Sequence, residues 1–455
     1  MDRIISISDK DVNMENSDGP VAGEAVSKPL SMSGHLIAKG QELERKGRLD
    51  DALTSYQRAV SIEPSSVSGW NAMGSVLRAL SRNGEAVECF DRALSIMPEN
   101  LDSLLSKAAL LQSSSTEALS LYNKIIELYP DNGNAWRSKA VILEKEGELD
   151  EALRCFSTAI ELDERDVAAW YGKGKVLAGL KSFDEALQCC DVALGLDSLN
   201  PDAWHLRGLV LAALGQGDEA FRSFMHVLEI APGSMDTLYE VAVICYRSGD
   251  FDRAYRAFST IVQVEEKRAD AWSYMGLLML QSGRFREALT CFDRSLSLDD
   301  SSWSNWQNKG SALLMMSDHQ GALRCFDRAV ELNPGSMAAW DNRSTSLRAL
   351  GRLDEALISI DNALRIDDSD GLLWCNKADA LAALGRYDEA LACYDTAAGK
   401  LDTAPMIWNN RGSTLKKAGR YEEASQSFRR ALSIDSAFAP AKDGLDECLR
   451  ILESR

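Results

Sequence analysis

An alanine recurs along this chain at Ala52, Ala86, Ala118, Ala152, Ala186, Ala220, Ala254, Ala288, Ala322, Ala356, Ala390 and Ala424. Every step is 34 residues except that from Ala86 to Ala118, which is 32. Around each alanine the text also repeats: Glu287–Asp300 reads EALTCFDRSLSLDD and Gly321–Pro334 reads GALRCFDRAVELNP. A fixed period of this length constrains the fold more than any composition does. Each unit is too short to bury a hydrophobic face alone, so successive units must stack and share one continuous core. Twelve units run from Ser33 to Phe438.

With the recurring alanine numbered position 20, position 4 is Trp in nine units (Trp70, Trp136, Trp170, Trp204, Trp272, Trp306, Trp340, Trp374 and Trp408). Position 8 is always small, and position 24 is aromatic in ten units. Positions 4, 7–8 and 11 share one face of a first helix, and positions 20, 24 and 27 share one face of a second. Gly at position 15, as in Gly283 and Gly351, breaks the chain between them. The recurrent Asp-Glu-Ala is expected to open the second helix, with Asp as its N-cap and Glu in its first turn. Small residues at 8 and 20 let the helices approach, and Trp and Phe are expected to fill the remaining core. The fold class is therefore all-α.

Trp-x-x-x-Gly, then Ala-x-x-x-Phe, then Ala and Pro within one period resembles the tetratricopeptide repeat. The resemblance implies a right-handed superhelical solenoid of helical hairpins, with first helices lining a concave groove. Position 7 departs from the usual Leu: it is Lys39, Lys107, Lys139, Lys173, Arg207, Lys309, Arg343, Lys377 and Arg411. These read as snorkelling stems whose charge pairs with a nearby acid such as the frequent position-25 Asp. Residues 1–32 are polar and aperiodic, the pattern of a flexible tail. Residues 439–455 place Leu445, Cys448, Leu449 and Leu452 on one helical face, the pattern of a capping helix.

The formal net charge of −19 opposes nucleic acid and anionic membrane surfaces as partners. Apolar runs such as GLVLAALG fall far short of a membrane span, and charges interrupt the N-terminal apolar residues, so a cytoplasmic protein is expected. Six of the ten cysteines recur at position 23 (Cys89, Cys155, Cys189, Cys291, Cys325 and Cys393). Equivalent helices lie roughly 10 Å apart, too far for disulfides, and no Cys/His spacing suits zinc. Free thiols and no cofactor or metal are expected. No phosphate loop, nucleophile elbow or HExxH motif is present, and no segment outside the repeats would hold a catalytic domain, so an enzyme is not expected.

Partner contacts are expected on the groove positions of the first helices. Members of the resembling family that bind heat-shock chaperones hold a terminal carboxylate with a set of Lys, Asn and Arg that no three consecutive units here match. Position 6 is instead Asn308, Asn342, Asn376 and Asn410 in the last four units. Such amides can bridge the C=O and N–H of an extended peptide. The series is similar to the asparagine ladder in the repeats of O-linked N-acetylglucosamine transferase; it also reads as a trace of duplication. In the middle units Tyr171, Leu209, Tyr239, Val243, Tyr246, Leu277, Leu280 and Leu314 occupy groove positions. These read as a partner site, or as residues covered by curvature. The leading expectation is a non-catalytic scaffold or adaptor binding an extended polypeptide or partner helix. Two alternatives stand: a self-associating structural module forming a homo-oligomer, and a substrate-recruiting subunit of an enzyme on a separate chain.

Overall fold

The computed structural model describes residues 31–112 and 114–454. All regular secondary structure among them is helical. The chain divides into two compact bodies, one ending at Asn200 and the other starting at Pro201. The first holds units one to five; the second holds units six to twelve and a closing helix. The tail expected over 1–32 falls mostly outside the described residues. Met32 opens the first helix, Met32–Arg45, and Ser31 is its N-cap, accepting the Gly34 N–H on its hydroxyl at 3.1 Å.

Each unit is a helical hairpin, as in Met337–Ala349 followed by Leu353–Ile366. The first helix is started by the residue before it. Ser66, Asn132, Asp166 and Ser336 each accept the backbone N–H three residues on, at 2.9–3.3 Å. Caps of this type contribute about 0.5–2 kcal/mol. The helix is stopped by a left-handed residue at position 15. Gly351 (φ 75°) lets Arg352 N–H reach back to Leu347 C=O at 2.9 Å, the Schellman closure. Ser81, Lys181 and Ser317 hold the same conformation without being glycine. In unit three the two missing residues shorten the first helix to Leu101–Leu110.

The start of the second helix differs from the sequence expectation. The Asp of Asp-Glu-Ala lies inside the first turn, and the N-cap position is most often Arg, with no side-chain cap bond. Arg82, Arg352, Arg386 and Arg420 instead form bidentate pairs with Glu85, Glu355, Glu389 and Glu423 at 2.6–2.7 Å. The acids still face the positive end of the helix dipole, and each Arg stiffens its own turn. Where the cap residue is itself Asp, as at Asp250 and Asp318, the carboxylate does cap.

The core is made by position 24 of the second helix meeting position 8 of the first. Phe224, Phe292 and Phe326 are completely buried. A Cβ added to Gly208 would stand 2.5 Å from the Phe224 ring, and one on Gly310 would stand 2.7 Å from Phe326. The small residue is therefore a steric requirement of the aromatic. The Trp at position 4 does something else. Trp70, Trp136, Trp170, Trp272, Trp306, Trp340 and Trp374 are only half-buried, and each donates Nε1–H at 2.9–3.0 Å to the carbonyl six residues earlier. They fasten the turn between units, whereas Phe and Ala fill the interior. The closing helix, Ala439–Glu453, buries Ala441, Gly444 and Cys448 on the last unit, with Leu445 packed at the flank.

Candidate interaction surfaces

The position-7 cations have their acid. Lys107, Lys309, Arg343, Lys377 and Arg411 bridge at 2.6–2.8 Å to Asp91, Asp293, Asp327, Asp361 and Asp395, each at position 25 of the preceding unit. The cations of Lys309, Arg343, Lys377 and Arg411 also sit 5.3–6.0 Å from the centre of the Trp ring three residues earlier. Stem and charge thus lock neighbouring units together from the second-helix side. Lys139 uses Glu151 of its own unit instead, at 2.8 Å.

The opposite surface is built by the first helices, successive members of which touch within each body. In the second body it carries an aromatic cluster. Tyr239 and Tyr246 pack edge-on against Tyr274, with ring centres 6.0 and 5.3 Å apart. Tyr274 stacks on Phe258 at 5.0 Å. The Arg268 guanidinium lies 4.6 Å over the Tyr239 ring and bridges to Asp236 at 2.9 Å and Glu265 at 3.0 Å. Burial pushes the Tyr239 and Tyr246 hydroxyls above their ordinary range and raises the Glu240 carboxyl. Tyr274 was not singled out in the sequence, although it stands at position 6, where later units have Asn; the class of residue at that position was the available signal.

The remaining sequence-designated residues fare unequally. Leu209 is exposed, and Leu277, Leu280 and Leu314 are half-buried. Val243 is only 7% exposed and is spent on packing. Tyr171 is half-buried and belongs to the first body.

The four asparagines are all half-buried. The amides of Asn308 and Asn342 have no side-chain partner among the described residues. Asn376 is engaged: it donates to Asp341 at 3.1 Å and accepts from Arg348 at 3.0 Å. Asn410 donates to Asp379 at 3.2 Å and accepts from Asn409 at 3.3 Å. Asp379 also receives the Tyr394 hydroxyl at 2.5 Å. Burial raises the Asp341 carboxyl, with the Asn376 bond and the Arg348 charge opposing it. Half of the series is therefore open, and half is joined into an Asp–Asn–Arg chain between neighbouring units.

Among the described residues, no group of three or more His, Cys, Asp or Glu is placed to hold a metal ion, and no helix is long and apolar enough to cross a membrane. All ten cysteines are buried, and none forms a disulfide. Burial pushes Cys89 and Cys291 up to about 11 and Cys375 to about 12.

Models of the tetratricopeptide repeat match residues 37–100, 121–154, 139–201, 201–234, 269–302, 308–371 and 375–440. No curated protein matches the sequence. Among solved structures, YrrB, a TPR protein with an unusual peptide-binding site, is 23% identical, with a TM-score of 0.37, over 40% of this chain and 95% of its own. Cut9–Hcn1, an APC/C hetero-tetramer, is 12% identical, with a TM-score of 0.45, over 92% and 97%. Yeast Tom70 is 13% identical, with a TM-score of 0.35, over 92% and 95%.

Proposed function

Because the chain belongs to the tetratricopeptide repeat family, whose models match more than half of it, we propose that it is a non-catalytic scaffold binding an extended polypeptide on the first-helix surface of its second body. The observation that carries the reading is the pair of unpartnered, half-buried amides at Asn308 and Asn342. They stand one repeat apart, beyond a surface of Tyr239, Tyr246, Tyr274, Leu277, Leu280 and Leu314. Neither amide is cut off from solvent, and both are open to bond a ligand main chain with two donors and an acceptor. The tyrosines offer large, stiff contact area at low entropic cost. Asn376 and Asn410 enter only if a ligand displaces their Asp and Arg partners. The partner is neutral or basic, given the acidic chain.

The test is peptide selection on the whole protein, followed by affinity measurement on Asn308→Ala/Asn342→Ala and on Tyr239→Ala. Affinity lost in both variants, across ligands of differing sequence, supports the reading. Peptides that bind both variants as well as the parent would refute it.

A further inference from the structure

On the second-helix side, the creases leading into units six, nine, ten, eleven and twelve follow one plan: Trp at position 4, a cation at position 7, and Asp at position 25 of the unit before. Unit seven is the single unit of the twelve with neither Trp nor cation: it has Leu238 and Val241, and unit six places Met225 where the acid would be. Three changes at one crease, all toward apolar, remove the charge and the indole together. The open cavity at this crease, of about 500 Å³, is consequently lined mainly by apolar side chains. Its floor is Phe221, Met225, Leu228, Leu238, Val241 and Cys245, between the helices Gly217–Ile230, Met235–Arg247 and Phe251–Val264. The equivalent crease two units on, of about 570 Å³, is lined by Asp293, Trp306, Lys309, Arg324 and Arg328. Met225 remains 37% exposed, so the floor faces solvent.

The rim supplies the second observation. Arg253 and Arg256 line the same cavity. Arg253 makes an exposed pair with Asp250 at 3.3 Å, and Arg256 has no ion pair among the described residues. Two guanidinia beside an apolar floor, on a chain of net charge −19, select an occupant of opposite character to the bulk attraction of this protein.

We propose that this crease is a second binding site, for an acidic amphipathic peptide. A large aliphatic or aromatic side chain seats on Met225, Leu238 and Val241, and a neighbouring carboxylate pairs with Arg256 and Arg253. The guanidinium fork suits a carboxylate, and the apolar anchor supplies most of the affinity. The site is separate from the first-helix surface and does not depend on it.

The decisive variant is Met225→Asp/Leu238→Trp/Val241→Lys. Each change installs the choice other units make at that position, so this refilled variant exchanges the apolar lining for the Asp–Trp–Lys lining that the fold already carries at Asp293, Trp306 and Lys309, and an unchanged circular dichroism spectrum checks it. Random peptides displayed on phage are selected on the full chain and counter-selected on the refilled variant. The expected winners carry a large apolar residue with Asp or Glu nearby. A fluorescein-labelled winner should bind the refilled variant at least about tenfold more weakly, the effect of losing one anchor. Arg253→Glu/Arg256→Glu should weaken it and turn the selection toward basic peptides. Asn308→Ala/Asn342→Ala should leave it unchanged, which separates this site from the first-helix surface. The proposal fails if no peptide is enriched over the refilled variant, if winners lack a carboxylate, or if the refilled variant binds them equally. It also fails if the refilled variant abolishes a concentration-dependent self-association of the full chain, since the occupant is then a second copy.

Discussion

Arg343 and Asp327 meet across a repeat boundary at 2.7 Å, and the same guanidinium donates to Ser359 Oγ at 2.6 Å. One side chain therefore joins the second helix of unit nine to both helices of unit ten, with its guanidinium carbon 5.8 Å from the centre of the Trp340 ring. The pair is partly open to water: Arg343 is 19% and Asp327 41% exposed, so its Coulomb energy is screened. Arg343→Met keeps the stem and removes two hydrogen bonds and a cation–π contact. A loss of about 1 kcal/mol is expected, near the top of the range for exposed pairs because the geometry is multiple. Stability here is a sum of neighbour terms, so amide exchange should quicken around Leu323–Leu364 and not at Ala424. Uniform exchange along the second body would contradict this.

Glycine at position 8 and glycine elsewhere should respond with opposite signs. Gly208→Ala drives a Cβ to 2.5 Å from the buried Phe224 ring, whereas Gly399, inside the helix Tyr387–Lys400, has nothing within 4 Å. Overpacking should destabilise Gly208→Ala by about 1–3 kcal/mol despite the better helix propensity. Gly399→Ala should gain up to about 1 kcal/mol from that propensity alone. Urea unfolding of both variants checks the contrast; equal shifts would mean that the aromatic at position 24 yields freely.

Most of the fold was readable because the repeat states each contact many times. Position 8 is small in every unit and position 24 is aromatic in most, and their meeting in the core follows from helical spacing. The partnership of positions 7 and 25 was readable for the same reason. The role of Trp was not, because an indole that fastens a turn by Nε1–H and one that fills a core have the same spacing. The Asp-Glu-Ala start was misassigned by two positions, since acids favour both the cap and the first turn. The surfaces were less legible still. Whether Asn342 is open or Asn376 engaged depends on Asp341 and Arg348, which neighbour the second amide in space only. The break between bodies after Asn200 left no sign in the period.

The cysteines should tie stability to alkaline pH. Nine of them have thiols raised by burial, that of Cys375 to about 12. Unfolded thiols titrate near 8.5. Above that value the unfolded chain releases protons that the native state retains, so the unfolded state is favoured as pH rises. The contribution of these thiols is complete below about 8.5 and is lost as pH climbs toward the folded values. Urea midpoints should fall between about pH 8 and 11, and fall less in Cys291→Ala/Cys375→Ala. Identical slopes for parent and variant would assign the alkaline loss to tyrosines such as Tyr239 instead.

The asparagine series carries the sharpest functional expectation, because its four members are not in the same state. Asn308 and Asn342 have amides free to take a ligand main chain, while Asn376 and Asn410 are bonded to Asp341, Arg348 and Asp379. If the series acts as a backbone reader, each open amide contributes a net of about 0.5–1.5 kcal/mol to binding. The double change Asn308→Ala/Asn342→Ala should then cost the captured peptide roughly five- to a hundredfold in affinity with little change in folding. Asn376→Ala/Asn410→Ala should act the other way round: it takes a donor from Asp341 and one from Asp379, which keeps the Tyr394 hydroxyl, so stability falls first, by about 1–3 kcal/mol in all. Isothermal titration of one peptide against both double variants, with urea midpoints alongside, separates the two effects. A ladder with four equivalent rungs would show equal affinity losses in the two variants. A trace of duplication would show none in either, and would leave the Tyr239–Tyr274 cluster as the remaining contact surface on this face.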